Sequence, residues 1–139
     1  MVPRSIEARR YYFVAQQRLE DAKLLFERVR YGSAVYLAGY SVECILKAIL
    51  LEHSPRRRQS ALLVAFRRGG RGHDFEWLID ALPHSGRGSF PRPISRDVRI
   101  VSTWSVDLRY NAGAVKREDA REFIAAVERL VTFFDARIG

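Results

Sequence analysis

The sequence is poor in the residue types that build covalent and metal cross-links. Cysteine occurs once, at Cys44, in a chain of 139 residues, which excludes an intramolecular disulfide and a multi-cysteine metal site. The three histidines, His53, His73 and His84, share no repeating metal-ligand spacing. We therefore expect no metal site and no cofactor. Cys44 lies among apolar residues, which predicts an unreactive core thiol in a reducing cytoplasm.

The chain also lacks a secretory signal and a clean membrane span. Its first ten residues, MVPRSIEARR, contain no apolar core of the kind that a signal peptide needs. The apolar run 34–51 has about the minimum length for a membrane helix. Because Gly39, Glu43 and Lys47 interrupt it, we interpret it as a buried helix of a soluble cytoplasmic protein with no membrane partner.

Lysine is scarce, whereas arginine is abundant. The 24 basic residues comprise 21 arginines and 3 lysines, they outnumber the 16 acids, and the net charge is +8. A GC-rich genome explains arginine in place of lysine, but it does not explain the excess over acids. Such an excess favours a polyanionic partner, with RNA or DNA foremost. The predicted contacts lie in one acid-free stretch and are Arg56, Arg57, Arg58, Arg67, Arg68 and Arg71.

Helical periodicity dominates the sequence, and no segment reads as a convincing strand. Length and pattern predict one all-α domain over residues 1–139. We expect an up-and-down bundle of four to five main helices, with a basic loop or short helix inserted at 54–72. The predicted helices cover about 5–29, 33–53, 74–82, 94–106 and 118–137, with a short helix at 59–67 inside the insertion.

Helix boundaries are predicted from capping and turn residues. Ser5, Ser33 and Asp74 each precede an apolar-periodic segment, so they are expected to cap the first three main helices. The short link 30–32 predicts that the first two helices form an antiparallel pair. Residues 84–93 are rich in turn-forming types, so we expect them to be exposed.

One helix carries a polar stripe on an otherwise apolar surface. Tyr36, Tyr40, Glu43 and Lys47 recur at three- or four-residue spacing, so they share one face. A helix that is apolar on nearly every other side is a buried one. Buried polar groups that stay unpaired are costly. We therefore predict that this stripe either finds partners inside the fold or lines a cleft.

A second group of candidate residues lies in WSVDLRYNAG, between the last two predicted helices. Arg109 in this link can hold a phosphate or a carboxylate through two parallel hydrogen bonds. Asn111 and Gly113 are expected to form a turn beside it. A structural salt bridge from Arg109 to Glu43 is an equally good interpretation, and the sequence leaves both open.

Taken together, these segments resemble the HEPN domain family. The resemblance rests on AVYLAGYSVECILKAIL, GHDFEWLIDAL, LRYNAG and the terminal amphipathic helix, and it covers about residues 8–137. It implies a small all-α bundle that forms a homodimer. It also implies a dimer cleft lined by Tyr36, Tyr40, Glu43, Lys47 and Asn111. Many prokaryotic members are paired with a minimal nucleotidyltransferase in toxin–antitoxin or defence systems.

A large subset of the family consists of metal-independent ribonucleases that carry an arginine and, a few residues later, a histidine. Arg109 matches the arginine, but residues 113–116 contain no histidine. Such cleavage needs a group that accepts the proton of the 2′-hydroxyl and electrostatic support for the phosphorane. The resemblance thus implies half of the motif. Arg109 and Tyr110 are the candidate catalytic residues, although tyrosine is a poor base at neutral pH.

Three functions follow from these observations. The one we favour is a non-catalytic or weakly catalytic module that binds nucleic acid or a nucleotide and works with a nucleotidyltransferase. The second is a divergent endoribonuclease that uses Arg109 with Tyr110, Glu43 or Lys47. The third is a dimeric scaffold in which the polar stripe only specifies packing. The missing histidine disfavours the second function, and the basic stretch disfavours the third.

Overall fold

In a computed structural model, the chain forms a bundle of α-helices. The structure describes residues 2–67, 75–82, 90–107 and 115–138, with side chains described as far as Thr103 in the third range. No strand occurs in these ranges, and the predicted all-α class is confirmed. The helices are α1 (Ile6–Glu27), α2 (Tyr31–His53), α3 (Arg56–Arg67), α4 (Phe75–Ala81), α5 (Arg92–Asp107) and α6 (Arg117–Asp135).

Helices α1 and α2 are joined by a tighter turn than the sequence suggested. Val29 adopts a positive φ of 63°, and the Arg30 amide donates to the Leu25 carbonyl at 2.9 Å. This turn reverses the chain in so few residues that α2 already begins at Tyr31. The predicted Ser33 cap is therefore wrong, because Ser33 lies inside the first turn of α2. The residue at the cap is Arg30, whose side chain makes no capping hydrogen bond.

The N-terminus of α1 is capped as predicted. The Ser5 side chain accepts a hydrogen bond from the Ala8 amide, and the Ser5 backbone is extended. The Glu52 carboxylate adds a second constraint from α2. It accepts hydrogen bonds from the backbone amides of Arg4, at 2.6 Å, and Ser5, at 3.0 Å. The start of α1 is thus fixed both by its own cap and by the C-terminal turn of α2.

The core lies where α1, α2 and α6 meet. Along α1, the fully buried residues Ala8, Ala15 and Ala22 recur every seven positions, and such small side chains let a neighbouring helix approach closely. Because the two helices approach closely, the Ser41 hydroxyl of α2 donates to the Ala15 carbonyl of α1 at 2.6 Å. The residues that α6 buries are Ala120, Phe123, Ile124, Ala126, Val127, Leu130, Val131 and Phe134.

Helix α2 occupies the centre of this core. Among the described residues, it is the one helix whose length and mean hydropathy of 1.6 would suit a membrane span. However, 78% of the residues in its most apolar window are buried inside the fold. This burial is what the sequence led us to expect of a core helix. A location in the cytoplasm stays a prediction.

Helix α3 begins earlier than the short helix predicted at 59–67. It starts at Arg56, directly after Pro55, because arginine is a good helix former and a proline is tolerated next to a helix start. Gln59 ties α3 back to α2 by donating to the Leu51 carbonyl at 3.1 Å. The rest of the predicted insertion, residues 68–72, lies outside the described residues.

The expectation that 84–93 is exposed is wrong at Phe90 and is met at 91–93, whereas residues 84–89 lie outside the described residues. Phe90 is buried and packs edge-on against Phe133, with ring centroids 5.8 Å apart. Helix α5 already includes Pro93, because the first turn of a helix tolerates a residue without an amide hydrogen. The aromatic surface of α6 therefore orders a segment whose composition suggested only a turn.

The other helix boundaries agree with the sequence to within a few residues. Helix α4 lies inside the predicted range 74–82, α5 extends the range 94–106 at both ends, and α6 starts one residue before 118. The proposed cap Asp74 lies outside the described residues.

A charged pair joins α5 to α6. Asp97 of α5 is buried, and its two carboxylate oxygens accept hydrogen bonds from the Arg129 guanidinium at 2.9 and 3.0 Å. These hydrogen bonds raise the pKa of Arg129 above its ordinary value. Paired hydrogen bonds between two ions are among the stronger polar contacts in proteins. We conclude that this contact fixes the position of α5 along α6.

Removal of the cation should destabilise the protein, because it leaves a buried carboxylate without its main partner. For Arg129→Ala we expect a loss of about 2 kcal/mol, below the 3–5 kcal/mol of a fully buried pair, since water reaches Arg129. The matched control is Arg121→Ala, which breaks an exposed pair with Glu118 on the same helix and should cost at most about 0.5 kcal/mol. Urea denaturation measures both. Equal losses of unfolding free energy in the two variants would contradict the structural role given to the Asp97–Arg129 pair.

Candidate functional site

Two residues of the polar stripe on α2 pair with each other inside the fold. The Lys47 ammonium group donates to the Glu43 carboxylate, with Nζ and Oε2 3.0 Å apart. Lys47 is only 4% exposed and Glu43 7%. Their four-residue spacing places them on adjacent turns of the helix. The prediction that buried members of the stripe find partners is therefore met within α2 itself.

Two aromatic rings complete the surroundings of the Lys47 ammonium group. Its Nζ atom lies 5.6 Å from the ring centroid of Tyr11 on α1 and 5.4 Å from that of Phe66 on α3. The two rings contact each other edge-on, with centroids 5.8 Å apart. A cation over an aromatic face is attracted by the ring quadrupole, more strongly when water is excluded. Lys47 therefore links three helices, and we call Tyr11, Glu43, Lys47 and Phe66 the Lys47 cluster.

Proton-transfer groups beside the Lys47 cluster are held in their neutral forms. The nearby Cys44 thiol, together with burial, raises the pKa of Tyr40 to about 12, and the two side chains share a hydrogen bond. Burial, reinforced by Glu43, raises the pKa of Cys44 to about 12. Burial also raises the pKa of Tyr11. None of these three side chains is therefore a base or an activated nucleophile at neutral pH.

The polar stripe runs from the surface into the core. Tyr36 is 60% exposed and Tyr40 is half-buried, whereas Glu43 and Lys47 are enclosed. Residue spacing placed all four on one face of α2. It did not show that α1 and α3 cover the part of this face that carries Glu43 and Lys47. That the four residues line one cleft stays a prediction.

The surface of α3 is strongly basic. Arg56, Arg57, Arg58 and Arg67 are all exposed, and the helix contains no acidic residue. The buried side of α3 is apolar, with Phe66 as its fully buried residue. Three of the arginines stand in the first turn, where the helix dipole is positive and favours anions. Helix α3 therefore presents a concentrated positive charge to solvent, and the predicted contact of these arginines with nucleic acid stays a prediction.

Comparison with known proteins assigns this fold to a family. A family model for the HEPN domain matches residues 8–137. The chain belongs to the HEPN domain family. No curated protein and no solved structure matches it. The match confirms the family that the sequence resembled. The assignment of residues 1–139 to a single domain stays a prediction.

Several predicted site residues of this HEPN domain lie outside the described residues. Arg109, Tyr110 and Asn111 fall in the connection before α6, and Arg68 and Arg71 follow α3. The structure therefore leaves open whether Arg109 contacts Glu43, and the roles given to all five residues stay predictions. Within the described ranges, no group of three or more His, Cys, Asp or Glu side chains could hold a metal ion.

A polar cleft that was not predicted from the sequence lies at one end of the HEPN domain. The cleft has a volume of about 860 Å³ and lies where the chain start meets the C-terminal end of α2 and the first residues of α3. Glu52 lines it, but its carboxylate is engaged by the two backbone amides at the start of α1. Its neighbour His53 contacts the Arg137 carbonyl at 2.9 Å. These contacts hold helix ends together, so we interpret the cleft as a structural junction.

The ion pair in the Lys47 cluster should be far more sensitive to loss of one partner than to loss of both. Lys47→Met removes the ammonium group that lies 3.0 Å from the buried Glu43 carboxylate and should cost about 3–5 kcal/mol of unfolding free energy. The double variant Glu43→Leu/Lys47→Met removes both charges and should stay within about 2 kcal/mol of the parent. Urea denaturation measures both values. A double variant less stable than the single variant would contradict this account of the pair.

Proposed function

We propose that this HEPN domain binds single-stranded RNA or a nucleotide and does not cleave RNA efficiently by itself. In this proposal it acts as a homodimer beside a nucleotidyltransferase in a toxin–antitoxin or defence pair. The observation that carries the proposal is the exposed arginine surface of α3. The HEPN domain is a nucleotide-binding or RNA-binding module, and α3 has the charge that such binding requires.

The arginines of α3 are well placed to replace the counterions of a polyanion. Arg56, Arg57 and Arg58 are consecutive, so they point in different directions around the helix start and can reach several phosphates of a flexible strand. The anchoring of α3 through Phe66 keeps this charge on one side of the α1–α2 pair. Phosphate contacts of this kind bind without reading the base sequence. The proposal is therefore one of backbone recognition.

The side chains in and beside the Lys47 cluster disfavour cleavage. Cleavage at a 2′-hydroxyl needs a proton acceptor, and Tyr40 and Cys44 stay protonated at neutral pH because their pKa values are raised. Glu43 and Lys47 are buried against each other. The position where family ribonucleases carry a histidine holds none. The side chains in and beside the Lys47 cluster therefore give the endoribonuclease alternative no evident base.

A dimeric scaffold is the second candidate, and one observation favours it. The Glu43–Lys47 pair is enclosed by Tyr11 and Phe66, which is the environment expected of residues that specify packing. This reading explains the stripe without a ligand, but it gives no reason for an acid-free helix with four exposed arginines. The two candidates therefore differ in what they require of α3.

Binding of RNA should depend steeply on salt and on α3. For Arg56→Ala/Arg57→Ala/Arg58→Ala we expect weaker binding of a fluorescent single-stranded RNA in anisotropy titrations. If each arginine neutralises one phosphate, the slope of log K against log salt should shrink by about 2, at about 0.7 per single-strand contact. Total charge also matters, so the measurement needs a control of equal charge.

The matched control is Arg28→Ala/Arg92→Ala/Arg99→Ala, which removes three exposed arginines outside α3. It should leave the salt slope close to that of the parent. Equal losses of RNA affinity in the two triple variants would mean that net charge, and not the position of the arginines on α3, determines binding. No RNA binding by the parent at low salt would refute α3 as a nucleic-acid surface and favour the scaffold.

RNA should stay intact when it is incubated with the purified domain in the presence of a chelator. The expected result in gel electrophoresis is unchanged total RNA, because Tyr11, Tyr40 and Cys44 stay protonated at neutral pH and residues 113–116 contain no histidine. The informative variant is Arg109→Ala. RNA cleavage by the parent that this variant abolishes would overturn the proposal and establish the endoribonuclease alternative.

A further inference from the structure

The polar cleft at the end of the HEPN domain contains two arginines that the junction between helix ends does not use. Arg4 lines the cleft from the chain start, and Arg56 lines it from the first turn of α3. Among the described residues, no hydrogen bond or ion pair engages either guanidinium group. A guanidinium group holds a phosphate or a carboxylate through paired hydrogen bonds. Two such groups around one concave space therefore favour an anionic ligand.

The carboxylates of the cleft do not neutralise these arginines. Glu52 accepts hydrogen bonds from two backbone amides at the start of α1. The Glu7 carboxylate lies beside Arg10, with Oε2 and Nη1 3.5 Å apart. Both carboxylates thus have partners other than the guanidinium groups of Arg4 and Arg56, which stay available to a ligand.

The backbone on both sides of the cleft is held in place. The Arg4 amide donates to Glu52 at 2.6 Å, and the Arg4 carbonyl accepts a hydrogen bond from the Arg9 guanidinium at 3.1 Å. Gln59 of α3 joins the two walls, since its Oε1 atom accepts a hydrogen bond from the Ser5 hydroxyl at 3.4 Å. The two arginines therefore stand on backbone that is positioned before a ligand arrives, which lowers the entropic cost of binding.

The cleft also has an apolar wall. Val2 and Ile6 line it and are 51% and 66% exposed. Large apolar side chains beside unpaired cations suit a ligand that has both an apolar face and a negative charge. A nucleoside that carries a phosphate has this composition, whereas inorganic phosphate has no apolar part. The volume of about 860 Å³ lies within the range of roughly 300–1,000 Å³ that is typical of sites for such molecules.

The cleft is continuous with the basic surface of α3, because Arg56 belongs to both. Arg57 and Arg58 follow it on the helix and are exposed. A strand whose internal phosphates contact α3 can therefore bring one end into the cleft. A terminal monophosphate carries a charge of about −1.5 to −2 at pH 7, whereas an internal phosphodiester carries a single negative charge. Two arginines around one group match the greater charge of the strand end.

We propose that the cleft binds the phosphorylated end of an RNA strand, with Arg4 and Arg56 on the terminal phosphate and the end nucleoside against Val2 and Ile6. This inference rests on the proposed function, because it takes α3 as the surface that the rest of the strand follows. It adds to that function a preference for strand ends over internal segments. Arg4 is the residue that isolates this preference, since it lies outside α3.

Competition anisotropy with three unlabelled single-stranded RNAs of one sequence tests the inference. They carry a 5′-monophosphate, a 3′-monophosphate or hydroxyl groups at both ends. One phosphorylated strand should bind the parent about tenfold more tightly than the hydroxyl-ended strand, as expected for one hydrogen bond between charged groups. Arg4→Ala should remove most of this difference. Arg28→Ala, an equal change of charge at the opposite end of α1, should preserve it. Circular dichroism verifies that both variants fold.

The outcomes separate this inference from the proposed function. Equal affinity of the parent for all three strands would overturn the inference and leave RNA binding by α3 intact. A difference that persists in Arg4→Ala would overturn it as well, because end recognition would then lie elsewhere. Failure of all three strands to bind would overturn both proposals. Calorimetric titration with adenosine 5′-monophosphate then distinguishes the ligand, since Arg4-dependent binding without strand binding would assign the cleft to a free nucleotide.

Discussion

A lysine buried in the core is the constraint around which three helices are arranged. The ammonium group of Lys47 cannot leave water without compensation, because an isolated buried charge is very costly. Its own helix supplies a carboxylate, α1 supplies the ring of Tyr11 and α3 supplies the ring of Phe66. The aromatic contact matters most for α3, whose other face is exposed and basic. The cation inside the fold thereby helps to fix the position of the arginines outside it.

The sequence predicts those parts of the fold that depend on local pattern. The periodicity of α1, α2 and α6, the Ser5 cap and the burial of the apolar run on α2 are all visible in neighbouring residues. The predictions fail where residues that are distant along the chain determine the local structure. Phe90 is buried because α6 offers it aromatic partners, and Ser33 is not a cap because the backbone at Val29 turns earlier than composition suggests. Neither effect can be predicted from the residues that immediately surround Phe90 or Ser33.

The candidate site was predictable to a similar extent. Spacing alone placed Glu43 and Lys47 on one face, and charge counting identified the basic stretch. Spacing could not show that Tyr11 and Phe66 enclose the ammonium group, since those residues are far from it along the chain. Nor could it show that Tyr40 and Cys44 hold their protons so tightly. This HEPN domain therefore contains two kinds of polar group. Those in the core are neutral or paired with each other, and those on the surface of α3 are exposed arginines.

The state of the lone cysteine has a practical consequence. Cys44 is buried, and its pKa of about 12 keeps it almost wholly in the thiol form at neutral pH, whereas alkylating probes react with the thiolate. For labelling purposes the folded protein is already cysteine-free. A fluorophore or spin label can therefore be attached to a cysteine introduced on the surface of any described helix without first altering the core. Distances between helices, or between copies of the chain, then become measurable in the otherwise native protein.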